Sequence, residues 1–238
     1  LVGAGRLIEV REIIGHMSMV LGRSGDLAGR KIVVSAGGTQ EPIDPVRFIS
    51  NRSSGKMGYA IAEAARDRGA AVTIVAAPGA LADPVGVQVV HVETAMEMQN
   101  AVLAASEDAD ALIMAAAVAD WRPRDAADQK LKTGKAVSSE LQLVKTSDIV
   151  AGISREGLVK VGFAAETEDL ESNAQGKLTK KGIDLIVAND ISAEGSGFGS
   201  DTNEVVLIDA DGGRETPGLL PKYEVGHRIL DKVKRYLK

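Results

Sequence analysis

KIVVSAGGTQEPIDPVRFISNRSSGKMGYAIAEAARDRGAAVTIVAA, residues 31–77, is the stretch on which the fold turns. It opens on KIVVSA (31–36), a continuous β-branched run of the kind buried on both faces of a parallel sheet. It closes on AVTIVAA (71–77), a second such run, and MGYAIAEAARDRG (57–69) between them reads as a helix ended by Gly69. The rhythm continues through VQVVHV (87–92), a helix over 95–106, ALIMAAAV (111–118), VKVGFAAE (159–166), DLIVAND (184–190) and EVVLID (204–209). Further helices fit 168–181 and 222–236. Strands alternating with helices predict an α/β chain with a Rossmann-like, doubly wound, mainly parallel sheet.

Two segments stand outside this rhythm. Residues 1–30 hold an amphipathic stretch with Leu7, Ile8, Val10, Ile13, Ile14 and Met17 at helical spacing, which predicts core packing. A short glycine-containing linker follows, placing a boundary near residue 28 between an appended tail (1–28) and the main domain (29–238). In KLKTGKAVSSELQLVKT (130–146), apolar and polar residues alternate on each side of a turn-rich centre. This predicts a protruding two-stranded hairpin flap carrying Lys130, Lys132, Lys135 and Lys145.

Composition narrows the function classes. With 238 residues, 45% of them apolar, the chain can bury a sizeable core. Its net charge of −5 argues against a surface that coats nucleic acid, so any positive charge that matters is local. No cysteine is present, which excludes a disulfide, a zinc–thiolate centre or a thiol nucleophile. No apolar run is long enough to cross a membrane and no secretory leader is read, so no membrane partner and a cytoplasmic location are expected. Because the chain starts at Leu1, it is expected to be a piece of something longer. His16, His91 and His227 share no metal-ligand spacing, and the sequence names no metal ligands.

SNRSSGKMG (50–58) has the look of a phosphate-binding loop, but it is not a Walker loop. That loop needs a glycine five positions before the glycine of the Gly-Lys pair and a hydroxyl after the lysine; here Ser50 and Met57 stand there. The dinucleotide fingerprint also fails, because AGGTQEP (36–42) follows the first strand and the second ends in Ala76-Ala77-Pro78 without a carboxylate for a ribose. No tyrosine precedes a lysine by four residues, so an NAD(P) oxidoreductase fits poorly. What survives is an anion site: backbone N–H groups, two hydroxyls and Lys56 at the positive end of a helix. The plainer alternative is a serine cap beside a solvated lysine.

Three further features bear on the choice. SAGGTQEPIDPVRFISN (35–51) is a long, proline-stiffened connection at the carboxyl end of the first strand, where open α/β sheets bind ligands. AAAVADW (115–121) ends another strand in small residues that permit close approach, followed by an acid, Asp120. Lysines at 130, 177 and 181 lie in the flap and at helical i,i+4 spacing. Taken with SDIV (147–150), GFAAET (162–167), VANDIS (187–192) and SDTNEV (200–205), these pieces cover about residues 30–237. In that order they resemble phosphopantothenoylcysteine synthetase, the C-terminal half of the bifunctional bacterial coenzyme A biosynthesis protein. The chain departs from the common family pattern at Gly37-Gly38-Thr39-Gln40-Glu41-Pro42, at Thr133 and at Ser147, none of them assigned to the chemistry of bond formation.

The resemblance implies a ligase joining 4′-phosphopantothenate to L-cysteine, with CTP and Mg²⁺, through an acyl-cytidylate, and releasing pyrophosphate and CMP. By family position, Asn51 stabilises the intermediate and Lys130 serves the first half-reaction. The nucleotide would meet Gly38, Ser53, Gly55, Gly58, Ala115, Ala116, Asp120, Lys130, Ser147, Asp148, Ile149, Val150, Phe163, Lys177 and Lys181. Phosphopantothenate would meet Asn51, Ala116, Ala117 and Asp120. The resemblance further implies a homodimer formed through the 130–146 region. It also implies that residues 1–28 are the tail of a fused flavin-dependent decarboxylase, which alone would hold FMN.

Each role has a bland competitor in the residues themselves. Asn51 could cap a turn, Lys177 and Lys181 could form a solvated helix face, Phe163 could be core, and Asp120 could be an N-cap. A nucleotide-binding module without catalysis is the third functional reading beside ligase and oxidoreductase.

Overall fold

The computed structural model describes residues 5, 7–132, 140–166, 176, 178, 181–190, 197 and 199–237. Its centre is a nine-stranded sheet in the order β12-β11-β10-β9-β6-β1-β4-β5, with β13 paired to the far part of β11. The strands are β1 (Lys31–Ala36), β4 (Ala71–Ala76), β5 (Gln88–His91), β6 (Ala111–Met114), β9 (Val159–Glu166), β10 (Leu185–Asp190), β11 (Thr202–Asp209), β12 (Arg214–Glu215) and β13 (Leu219–Pro221). From β5 to β10 every pairing is parallel, and β11 to β13 are antiparallel. The predicted strands and their mainly parallel arrangement are therefore observed.

Helices cover both faces. α2 (Lys56–Arg66) and α4 (Lys222–Tyr236) bury Ile61, Ile229, Leu230 and Val233 against Ile32, Val34, Ile74 and Leu185 on one face. On the other, α3 (Ala95–Ala105) sets Met98 and Val102 against Val33, Val75, Leu112 and Ile186. Gly226 lets α4 approach α2 closely: a Cβ there would lie 3.2 Å from Ile61 Cα. α3 starts at a capping box, in which Thr94 accepts from Glu97 N–H and Glu97 accepts from Thr94 N–H. The buried Glu41 adds a bond from Ala95 N–H, 2.8 Å, and so ties the short β2 (Gln40–Pro42) to that helix.

Two expectations need correction. α1 (Val10–Gly22) is a helix, but its apolar residues are not core: Val10, Ile14, Met17, Val20 and Leu21 are exposed. The helix seats its glycines instead, because Gly15 and Gly22 are the buried positions and a Cβ on Gly22 would collide with the Asp67 carbonyl. Among the described residues, the 130–146 segment does not show the predicted pairing of its two arms. β8 (Leu143–Lys145) pairs antiparallel with β7 (Trp121–Pro123), and residues 130–132 are no strand. The backbone of Leu131 is occupied elsewhere: its N–H donates to Asp44 Oδ2 at 3.1 Å and its carbonyl accepts from Arg47 Nη2 at 3.0 Å. The centre of the expected flap, 133–139 with Lys135, lies outside the described residues. A second small sheet joins β2 to β3 (Phe48–Ser50).

Candidate functional site

Strand order places β6 on one side of β1 and β4 on the other, so successive connections from β1 diverge there. Such a switch point opens a crevice at the carboxyl ends of the strands. A cavity of about 610 Å³ occupies it. Its floor is the 115–118 segment leaving β6, stitched to β1 by two buried hydroxyls. Ser35 Oγ accepts from Ala116 N–H at 3.1 Å and Thr39 Oγ1 from Ala119 N–H at 2.9 Å. Ala117 N–H also donates to the Gly37 carbonyl at 2.8 Å, closing a parallel bridge between Gly38 and Ala117.

The helix start of α2 forms one wall. Gly55 is its N-cap, left-handed at φ 74°, and the hydroxyls before it reach the helix start: Ser53 Oγ accepts from Gly55 N–H at 3.4 Å and Ser54 Oγ from Lys56 N–H at 3.5 Å. Gly58 packs directly on β1, where a Cβ would sit 2.6 Å from Ala36 Cβ and 2.9 Å from the Ser35 carbonyl. A positive helix end thus borders the cavity without a capping carboxylate of its own, which suits a bound anion. Lys56 Nζ lies here too, but it donates to the Gly199 carbonyl at 2.8 Å and to Asp201 Oδ1 at 2.7 Å. That ion pair holds the Asp201 carboxyl below the usual carboxylate range.

Asn51 lines the cavity, and its Nδ2 donates 3.0 Å to the Val118 carbonyl, 67 residues along the chain, instead of capping its own turn. Ser53, Gly55, Gly58, Ala115, Ala116, Ala117, Asp120, Ser147, Asp148, Ile149, Val150, Phe163 and Lys181 border the same cavity. Phe163 also packs against the buried core, so it has one side in each environment. Asp148 pairs with Lys181 at 2.8 Å. Burial works against the Asp148 charge, but Lys181 and the Ala151 N–H outweigh it and keep its pKa below the ordinary value. Ser147–Val150 is held to the floor by Thr146, whose N–H donates to the Asp120 carbonyl and whose Oγ1 donates to the Ala119 carbonyl at 2.6 Å.

Three expected residues do not line the cavity or cannot be placed. Lys130 is exposed outside it, on the excursion between β7 and β8. Gly38 sits behind Asn51, where a Cβ would meet the Asn51 carbonyl at 2.7 Å, so it supports the wall without bordering the space. Lys177 lies outside the described residues.

Other lining residues had not been assigned roles. The buried Lys222 donates from Nζ to the carbonyls of Gly197 at 3.0 Å, Ser200, and Thr202 at 3.1 Å. Burial, then the charge of Lys56, pushes its pKa down, with Asp201 opposing. Asn189 presents a buried Oδ1 without a hydrogen-bond partner, and Asn203 is buried beside Met57. Asn189 and Asn203 fall inside VANDIS and SDTNEV, where an amide amid apolar strand residues was the available signal. Lys222 gave none beyond its position at the start of a helix after Pro221. Among the described residues, no group of three or more His, Cys, Asp or Glu side chains could hold a metal ion, and no helix is long and apolar enough to cross a membrane.

This geometry defines an α/β domain with an anion-ready helix terminus at a topological switch point. The chain belongs to the DNA/pantothenate metabolism flavoprotein C-terminal domain family, which it matches over residues 27–237. It is 44% identical over 240 residues to the coenzyme A biosynthesis bifunctional protein CoaBC of Vibrio parahaemolyticus, covering 99% of this chain and 60% of that protein. The CoaBC protein of Bacillus subtilis is 41% identical over 237 residues, covering 98% and 58%. The chain thus spans about 60% of the length of such relatives. A crystal structure of the C-terminal domain of a CoaBC protein superposes with a TM-score of 0.75 at 41% identity, covering 88% of this chain and 98% of that one. A DNA/pantothenate metabolism flavoprotein from Streptococcus pneumoniae shares the fold, with a TM-score of 0.75 at 23% identity. The resemblance drawn from the motifs therefore holds over residues 27–237.

Proposed function

We propose that this chain ligates 4′-phosphopantothenate to L-cysteine at the expense of CTP, in coenzyme A biosynthesis. The observation that carries the reading is convergence: four sequence segments far apart in the chain, 51–58, 115–120, 147–150 and 162–164, meet around one cavity. A family whose members include CoaBC supplies the substrate class. In the first half-reaction a carboxylate oxygen of 4′-phosphopantothenate attacks the α-phosphorus of CTP. The bond from that phosphorus to the bridging oxygen breaks, and pyrophosphate leaves. In the second, the cysteine amine attacks the acyl carbon, the acyl–oxygen bond breaks, and CMP and a proton are released.

The residues fit these needs. Like charges meet when a carboxylate approaches a triphosphate, so cations at the phosphates lower the barrier. The α2 helix start and Lys181 border the cavity to supply positive potential, and Lys177 is proposed to join them. Lys56 would exchange Asp201 for a phosphate oxygen. Asn51, already oriented by Val118, donates to the developing acyl oxygen without pairing with the substrate carboxylate. Phe163 offers a face to the base and Ala115–Ala117 admit close approach. Mg²⁺ is proposed to enter with CTP, on its phosphate oxygens.

Lys130 is proposed to act from the β7–β8 excursion once a second copy of the chain covers it. Phe48, Trp121, Leu131, Leu141 and Leu143 are exposed apolar side chains on or beside the two small sheets, and a homodimer formed there would bury them. A fused flavin-dependent decarboxylase preceding residue 28 and a cytoplasmic location complete the proposal. The test is mass spectrometry of the product after incubation with 4′-phosphopantothenate, cysteine, Mg²⁺ and CTP or ATP. Formation of the amide with stoichiometric CMP supports the reading. Absence of amide with either nucleotide, from folded dimeric protein, contradicts it.

A further inference from the structure

We infer that Asp44 is a positioning residue that sets the place of Lys130, an inference that rests on the ligase reading and on the role proposed there for that lysine. The Asp44 side chain is wholly buried in a chain whose carboxylates mostly face water. One oxygen, Oδ1, accepts from Val46 N–H and Arg47 N–H, both at 2.9 Å, and folds 44–47 into a tight turn. The other, Oδ2, accepts from Arg47 Nε at 3.0 Å and from Leu131 N–H at 3.1 Å. Arg47 then reaches past the carboxylate to donate from Nη2 to the Leu131 carbonyl at 3.0 Å.

Both backbone groups of Leu131 are thus held by one ion pair. A third bond, from Ala127 N–H to the Ile43 carbonyl at 3.0 Å, fixes the same excursion to the same turn. Lys130 adjoins the clamped residue, so its Cα is restrained to about 3.8 Å from a fixed point. No regular strand pairing holds residues 130–132, so the Asp44–Arg47 pair does the work that a ladder would otherwise do. Arg47 keeps the carboxylate ionised through neutral pH, since its hydrogen bonds hold the acid well below the usual range against the effect of burial. An asparagine at 44 keeps the shape but must turn an N–H₂ toward one set of these donors, which breaks either the turn or the clamp.

The test pairs amide exchange with a double-mutant cycle. In the unmodified chain the Leu131 amide is expected to exchange at least about 100-fold more slowly than in an unstructured peptide, and to lose that protection in D44N. Cysteine-independent pyrophosphate release is expected to fall about 10–100-fold in D44N, the range for a misplaced catalytic group. In the K130A background the same change is expected to cost less than about twofold, because the group it positions is gone. Losses that multiply in the double variant, or a D44N enzyme with the unmodified rate, overturn the proposal. Should D44N fail to fold, an unprotected Leu131 amide in the unmodified chain overturns it alone. An unmodified enzyme that releases no pyrophosphate refutes the ligase reading instead, and the exchange measurement, which needs no turnover, tells the two failures apart.

Discussion

Replacing Gly58 with alanine tests whether the α2 helix start is built to meet a ligand. The added Cβ would stand 2.6 Å from Ala36 Cβ, 2.9 Å from the Ser35 carbonyl oxygen and 3.1 Å from Ala36 Cα. Carbon atoms rest about 3.5–4.0 Å apart, so the helix start must retreat from β1 by about 1 Å. None of these neighbours can swing away, because two are backbone and the third is a methyl fixed to it. Overpacking of this kind costs about 1–3 kcal/mol, while exchanging glycine for alanine in a helix returns about 1 kcal/mol. The net loss of stability is therefore small, on the order of 1 kcal/mol. The effect on binding is expected to exceed it, because the amides of 56–58 move with the helix. The assay is urea unfolding beside the KM for CTP, with Gly79→Ala as the matched control, since its nearest neighbour would be 4.0 Å away. The expected result is a KM raised about tenfold or more with unfolding shifted modestly. An unchanged KM in a destabilised G58A enzyme would refute the role given to this helix start.

Thr39→Val removes the acceptor of the buried Ala119 N–H, and is expected to lower unfolding stability by about 1–3 kcal/mol by urea titration. Lys222→Met deletes the donor to three carbonyls around 197–202; a lower Tm and a higher KM for CTP are expected, since these residues border the cavity. The Asp148 pKa is depressed, so its contribution to stability is present above the unfolded value near 3.9 and is lost as pH falls through the folded value. Acid titration of stability below about pH 4 should therefore be shallower in D148N than in the unmodified chain. Should the proposed homodimer form over β3, Phe48→Glu is expected to shift sedimentation to monomer, because the side chain is half exposed there.

Periodicity carried most of the fold. The β-branched runs at 31–36, 71–76 and 185–190 are strands; the first two pair in parallel on both sides, while the third is parallel to β9 and antiparallel to β11. What periodicity could not show was partnership. The alternation in LQLVKT is real, but β8 pairs with β7, while Leu131 bonds to Asp44 and Arg47, 80-odd residues upstream. The apolar spacing of α1 predicted burial, whereas two glycines make the contact and leave the larger side chains outside. At the site, 115–120 and 162–164 come from the adjacent strands β6 and β9, while 51–58 and 147–150 follow the small-sheet strands β3 and β8. Lys222 and Lys130 depart from the sequence reading in opposite ways. Lys222 enters the site from the start of the C-terminal helix, far from the motif segments in order but adjacent to them in space, and Lys130, which the motifs did single out, stands outside the cavity.

The most direct measurement of the central claim is pyrophosphate release from CTP and 4′-phosphopantothenate before and after cysteine is added. A burst of about one equivalent per site is expected without cysteine, turning to steady turnover when cysteine arrives, as for an acyl-nucleotide held on the enzyme. Release that continues at the same rate without cysteine, or none under either condition, would contradict a two-step ligase.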